Sequence, residues 1–211
     1  MDDYDWSAGM ASLARRALIA RLTIILYLAL VVVSLAMQGY FIETGSADPE
    51  MIALAETIDK LTLAGFLGSV VAISFWIYRA HANLRLYDAG PFEFSPQSAV
   101  GWFFVPFANL VMPFRAMGEL WRASGGDRAD GAPGWYVGAW WGCFLGGGLL
   151  ANVGSVMLNA AQTAGQPSMT GLVVFDIGFV ARGLSAVLLH EIIRSVGPMQ
   201  REHADVAQVF A

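Results

Sequence analysis

Charge is what this sequence has least of. Charged side chains make up 14% of its 211 residues, against roughly 25% in soluble domains. That is too few to cover the surface of a water-soluble domain of this length. Cysteine occurs once, at Cys143, and lysine once, at Lys60. A single cysteine excludes an internal disulfide and a cysteine-built zinc or iron–sulfur cage. Set between Gly142 and Phe144 in an apolar run, it reads as a small filler. The net charge of −5 argues against nucleic acid, whose phosphates require clustered Lys and Arg. A glycine-rich phosphate loop, a His-Glu-x-x-His zinc motif, a Gly-x-Ser-x-Gly elbow and a paired acidic motif are all missing. No catalytic, cofactor-binding or metal-binding residue is therefore assigned, and the expectation is a non-enzymatic protein.

What is abundant is apolar residue, 56% of the chain, arranged in runs long enough to cross a bilayer, which takes about 20 residues. Leu22–Ile42 and Leu61–Tyr78 are uncharged, and no charged residue occurs among the 45 positions from Gly131 to Phe175. The turn-forming stretch Thr163–Ser168 divides that last region into a helical hairpin. The first run is too long for the apolar core of a signal peptide, about 7–15 residues, and is read as a retained helix. The reading is a single membrane domain over residues 1–211, with spans at 17–42, 61–78, 135–162 and 169–193. A motif region lies at 79–134 and a tail at 194–211.

A further uncharged segment, Ser95–Phe114, contains Pro96, Pro106 and Pro113, each of which removes a backbone donor. Charge counting decides its path. If it crosses, basic residues divide five against six. If it is re-entrant or interfacial over about 98–121, ten arginines share one side and Lys60 stands alone on the other. The positive-inside rule favours the second arrangement. The expected fold is all-α, with four transmembrane helices and a proline-broken segment on the cytoplasmic side. All seven tryptophans, Trp6, Trp76, Trp102, Trp121, Trp135, Trp140 and Trp141, then fall near the cytoplasmic boundary, the headgroup level that Trp favours.

The densest stretch runs from Phe75 to Ser124. It contains Phe75-Trp-Ile-Tyr-Arg-Ala-His-Ala-Asn-Leu84, Phe94-Ser-Pro96, Val100-Gly-Trp-Phe-Phe-Val-Pro-Phe-Ala-Asn-Leu-Val-Met-Pro-Phe-Arg115 and Glu119-Leu-Trp-Arg-Ala-Ser124. Over these residues the chain resembles the uncharacterised bacterial membrane-protein family catalogued as domain-of-unknown-function family 4328. The resemblance implies a multi-pass fold in a bacterial cytoplasmic (inner) membrane and no assigned activity. It also implies that Arg79, Asn83, Pro106, Asn109, Pro113, Glu119 and Trp121 belong to one structural unit. Arg115, Glu119 and Arg122 recur at helical spacing and share a face. They form either a solvated stripe or the wall of a basic, Trp-rimmed cavity for an anionic lipid headgroup. Asn109, between two prolines, is suited to satisfying freed backbone.

Three further groups stand out. Gly138, Gly142 and Gly146 line one helix face and allow close approach of another helix, in the same chain or in a second copy. Asp176 and Arg182 lie at membrane depth, where charge suggests a polar site or a structural cluster. If the final hairpin turns near Gly165–Pro167, level positions add to about 334–335. Asp176 is then level with Asn159 and is expected to pair there, while Arg182, level with Asn152, is expected to reach Asn152 or a carbonyl freed near Pro106. His81 and His190 lie near helix ends and could in principle bracket a haem, but ordinary interfacial histidines are the simpler reading; His203 falls in the polar tail.

The expected function is a scaffold or accessory subunit of a membrane complex. The alternative is a small-solute or ion transporter, or a protein that binds anionic lipid. The partners implied are the lipid bilayer, other membrane proteins or a second copy, and an anionic lipid headgroup, with no nucleic acid and no cofactor. Both termini are expected in the cytoplasm. Cysteine labelling on a Cys143→Ala background should therefore leave positions 124 and 195 inaccessible from outside; outside labelling at either would restore a fifth crossing.

Overall fold

The computed structural model describes residues 3–45, 48–86, 90–125 and 134–209, with side chains placed from Trp6 to Glu202 within those ranges. Arg128 and the side chain of His203 lie outside the described residues. Helix α1 spans Asp3–Thr44, α2 Pro49–Leu84, α3 Pro96–Gly101, α4 Met112–Ala123, α5 Trp135–Thr163 and α6 Met169–Val209. Two short 3₁₀ turns, Trp102–Phe104 and Ala108–Leu110, stand between α3 and α4. No strand occurs among the described residues. Four helices, α1, α2, α5 and α6, are long and apolar enough to cross a membrane.

The helices outrun the apolar stretches that mark them. At about 1.5 Å per residue, α1 is roughly 60 Å long, twice the hydrocarbon thickness of a bilayer. The excess of α1 and α6 gathers at one end, where the start of α1, the ends of α2 and α6, the start of α5 and the broken segment meet, while α2 extends mainly at the other end, from Pro49 to Leu61. Most of the buried core lies there, including Trp76, Leu84, Trp121, Trp140 and Val196. This changes the reading of the tryptophans. Trp6, Trp76, Trp121, Trp140 and Trp141 are buried, while Trp135 is exposed. They fill the end of the bundle because α3 and α4 cover them.

Local sequence explains the element boundaries. Asp48 caps α2 by accepting a hydrogen bond from the Glu50 amide at 3.0 Å, and Pro49 follows in the first turn, where proline loses nothing. Ser95 caps α3 in the same way, with Pro96 behind it. The α5–α6 turn closes with two paired bonds, Gln166 N–H to the Ala161 carbonyl at 3.0 Å and Gly165 N–H to that of Gln162 at 3.1 Å. Gly165 has φ +67°, so this is a Schellman ending that only a residue at ease in the left-handed region accepts readily.

That turn sets the register of α5 against α6. A Cβ on Gly147 would lie 2.8 Å from the Gly178 carbonyl oxygen and 2.9 Å from the Arg182 amide. Gly178 abuts the backbone of Ala151, Gly154 that of Phe175, and Gly171 that of Leu158. Level positions thus add to 329, not 334–335. The apex sits at Ala164–Gly165, earlier than expected, because the Schellman ending reverses the chain at once. Asp176 is consequently level with Val153 and Arg182 with Gly147, and the expected pairing with Asn159 and Asn152 does not form. The contact face is Gly147, Ala151 and Gly154; Gly138, Gly142 and Gly146 lie on exposed backbone with nothing within 4 Å of an added Cβ.

Around the bundle α1 packs on α2 and α6, and α6 on α5. Helices α2 and α5 do not pack along each other; α3 and α4 bridge them at one end. Gly178→Leu should cost about 1–3 kcal/mol or more through overpacking, while Gly142→Leu should stay within about 0.5 kcal/mol. Reversible unfolding in mixed micelles checks both.

Candidate functional site

The segment between α2 and α5 is chemically busiest, and hydrogen bonding explains its shape. Pro96, Pro106 and Pro113 interrupt what would otherwise be a single apolar helix, so backbone groups are freed in apolar surroundings. The expected single break near Asn109 is spread over residues 102–111. Its tightest point is Phe107, with φ +62°, where the Ala108 amide donates to the Pro106 carbonyl at 2.8 Å. This is a γ-turn of the strained, positive-φ kind. Phe107 is 87% exposed, and Phe104, Leu110, Val111 and Phe114 are exposed beside it. So apolar a tip suits lipid, not water. The Leu110 carbonyl is satisfied by the Trp141 indole N–H at 2.9 Å. That is the task expected of Asn109, whose side chain makes no hydrogen bond among the described residues.

Helix α4 is amphipathic, with Pro113, Ala116, Met117, Leu120 and Trp121 buried. Glu119 lies on its other face and receives two backbone amides, Glu93 N–H at 2.7 Å and Phe94 N–H at 3.2 Å. Charge-assisted bonds of this kind are about twice as strong as neutral ones. Arg115 pairs with the Glu93 carboxylate at 2.6 Å, both half exposed. The Arg85 guanidinium donates to the Phe94 carbonyl at 3.3 Å. Arg115 and Glu119 thus clamp the stretch of chain before α3, and Arg122 folds back over Gly118.

The inner face of α4 rests on α2. His81, 2% exposed, brings Nδ1 within 3.0 Å of the Ile77 carbonyl oxygen and Nε2 within 3.3 Å of that of Ala116. Gln200, near the end of α6, donates to the Ala80 carbonyl at 3.1 Å and the Ser124 hydroxyl at 3.3 Å. Ser124 is fully buried, so Ser195 is the better labelling position. Asn83 donates to the Met10 sulfur at 3.4 Å, and Arg79 and Asn83 together press on Gly9 of α1. In this layer Trp76 Nε1, Arg79 Nε, Asn83 Oδ1, Trp121 Nε1 and Gln200 Oε1 are buried without a protein partner. The tie from Gln200 and the close fit at Gly9 could not be read from spacing, because each joins distant parts of the chain.

A basic groove does exist, elsewhere than expected. Arg21, Arg194 and Arg201 line a recess of about 340 Å³ between α1 and α6, together with Leu13, Leu18 and Pro198. Arg21 Nε donates to His190 Nε2 at 3.1 Å, and Arg194 pairs with Glu191 at 3.1 Å. His190 is therefore a link between α1 and α6, and far from His81 in role.

Deeper in the bundle the two ionisable residues part company. Asp176 Oδ1 accepts from Gln38 Nε2 of α1 at 3.1 Å. Asn152 turns back to the Gly148 carbonyl at 3.3 Å on an exposed face, and Asn159 is also exposed. The guanidinium of Arg182 lies over the rings of Phe66 at 5.4 Å and Phe144 at 5.8 Å, which are cation–π contacts. It borders a cavity of about 100 Å³ formed by α1, α2, α5 and α6 with Phe103 above.

The Phe75–Ser124 region and the hairpin behind it together decide the family. The chain belongs to the family described as Domain of unknown function (DUF4328). That family's profile matches residues 50–197, covering α2 to most of α6. Neither a curated protein nor a solved structure matches the chain. The matched range contains the Glu119 clamp and the α5–α6 turn, and the family description names no ligand.

Glu119→Gln should cost about 1–3 kcal/mol by weakening both amide bonds. Arg115→Ala should cost less than about 1 kcal/mol, since its ion pair is half exposed. Thermal unfolding of the two variants in detergent checks the order.

Proposed function

We propose that this DUF4328 chain is a non-enzymatic, multi-pass protein of the bacterial cytoplasmic membrane, acting as a scaffold or accessory subunit with both termini in the cytoplasm. One observation carries the reading. Five polar side chains at this end of the bundle, Glu119, His81, Arg85 and Trp141 within the matched residues and Gln200 just beyond them, are engaged with backbone groups of this chain. Groups committed in this way hold shape; they are poorly placed to act on a substrate. The outward stripe of Gly138, Gly142 and Gly146 offers a partner helix the close approach that small residues allow.

Solute transport is less well supported. It needs a continuous polar path to Asp176 or Arg182. Asp176 is bonded to Gln38, and the cavity beside Arg182 and the recess beside Gln38 share no lining residue. The lining of the Arg182 cavity is mainly aromatic and aliphatic.

Native electrophoresis of solubilised membranes tests the scaffold reading. The wild-type chain is expected in a complex larger than itself, Gly142→Leu in a smaller one, and Gly148→Leu as wild type. A wild-type chain migrating alone, or a complex indifferent to Gly142→Leu, contradicts it.

A further inference from the structure

Arg182 is the one arginine that lies within the apolar run of α6. It lies about 20 Å along α6 from Met169, past the middle of a hydrocarbon core about 30 Å thick. Ionisable groups at that depth pair with one another, bond to carbonyls or face a cavity. Among the described residues Arg182 has no ion pair and no hydrogen bond; its contacts are the faces of Phe66 and Phe144. A ring face attracts the cation but accepts none of its five N–H donors in the geometry a carboxylate offers. Tyr27, 9% exposed, lines the same cavity and likewise has no hydrogen bond there.

The cavity adjoins a lipid-facing groove. It sits where α2 and α5 do not pack on each other. Its α2 wall includes Val70 and Ser74, and both also line a wide apolar groove of about 670 Å³ on the outer face of α2. Phe103 lines the cavity and Phe104 the groove, so the 3₁₀ turn Trp102–Phe104 borders both. An occupant must therefore be apolar along most of its length and carry one compact anionic group at its inner end. A phosphodiester headgroup is too bulky for a cavity of about 100 Å³ and belongs at the interface. A carboxyl group fits both limits and matches the guanidinium fork.

We infer that the gap between α2 and α5 binds a lipophilic carboxylate, a carboxyl group on an apolar chain, with Arg182 as its anion partner. The acid leaves its proton with water at the interface and is held as the carboxylate by paired N–H donors of Arg182, while its chain lies along the groove.

Trp140 and Trp141 line the cavity, so energy transfer from tryptophan to cis-parinaric acid reads occupancy directly. The purified chain is placed in phosphatidylcholine nanodiscs and titrated with the acid and with its methyl ester. The acid should show a saturable component near one per chain, absent for the ester. Arg182→Gln should weaken it at least about tenfold, and Arg182→Lys by less. Ser69→Leu fills the cavity from α2 and leaves Arg182 in place, so it should abolish the signal in a chain that still unfolds cooperatively. Decanoic acid should compete, and lysophosphatidylglycerol should not. Equal binding of acid and ester, full affinity in Arg182→Gln or in folded Ser69→Leu, or displacement by the lysophospholipid as readily as by decanoic acid overturns the inference. The test uses the isolated chain, so it is independent of any complex the chain joins.

Discussion

An interrupted helix in apolar surroundings must find partners for the amides and carbonyls it frees, and lipid supplies none. The rest of this structure follows from how that demand is met between α2 and α5. Trp141 answers the Leu110 carbonyl, Glu119 answers the amides of Glu93 and Phe94, and His81 sits between carbonyls of α2 and α4, one of which its ring N–H can serve. Each donor or acceptor comes from a different helix, so satisfying the break also locks the helices together. This is why the core is concentrated at one end of long helices and why five tryptophans are buried there.

The opposite trend governs the middle of the bundle. Helices α5 and α6 meet backbone to backbone through Gly147, Gly154 and Gly178, a contact that needs no polar group. Helix α1 ties to α6 by single polar links, Arg21 to His190 and Gln38 to Asp176. Helices α2 and α5 are joined by the broken segment and by a light contact of α2 with α6. Close packing on one side and a bridge on the other leave the space that Arg182 faces. The same proline breaks that demand so many hydrogen bonds therefore hold that space open.

Much of this was legible in the residues. Four crossings follow from uncharged run lengths, and the non-helical break follows from Pro106 and Pro113. The early start of α2 was not read from run length, which begins at Leu61, although Asp48 and Pro49 mark it. What could not be read is rotation and order. The two glycine rows of α5, at Gly138 and at Gly147, carry the same spacing signal, and only the neighbour decides which is used. Asp176 looked toward α5 because α5 is its neighbour in sequence, yet Gln38 of α1 is its partner. An early turn apex at Ala164–Gly165 was enough to part Asp176 from Asn159, since each residue of shift at the apex moves level positions by two. Glu119 was visible as part of a charged stripe, but its role depends on a chain segment 25 residues earlier, which periodicity does not reach.

The α5–α6 hairpin bears on biogenesis. Its connecting turn, from Ala164 to Ser168, carries no charge, so moving it across the bilayer exposes no ion to hydrocarbon. Its two helices bury the backbone of Gly147, Gly154 and Gly178 against each other without help from α1 or α2. The pair is thus equipped to enter the membrane as one preassembled unit. In the proposed topology the first hairpin carries Asp48 and Glu50 across with its turn, a burden for the insertion machinery that the second does not impose.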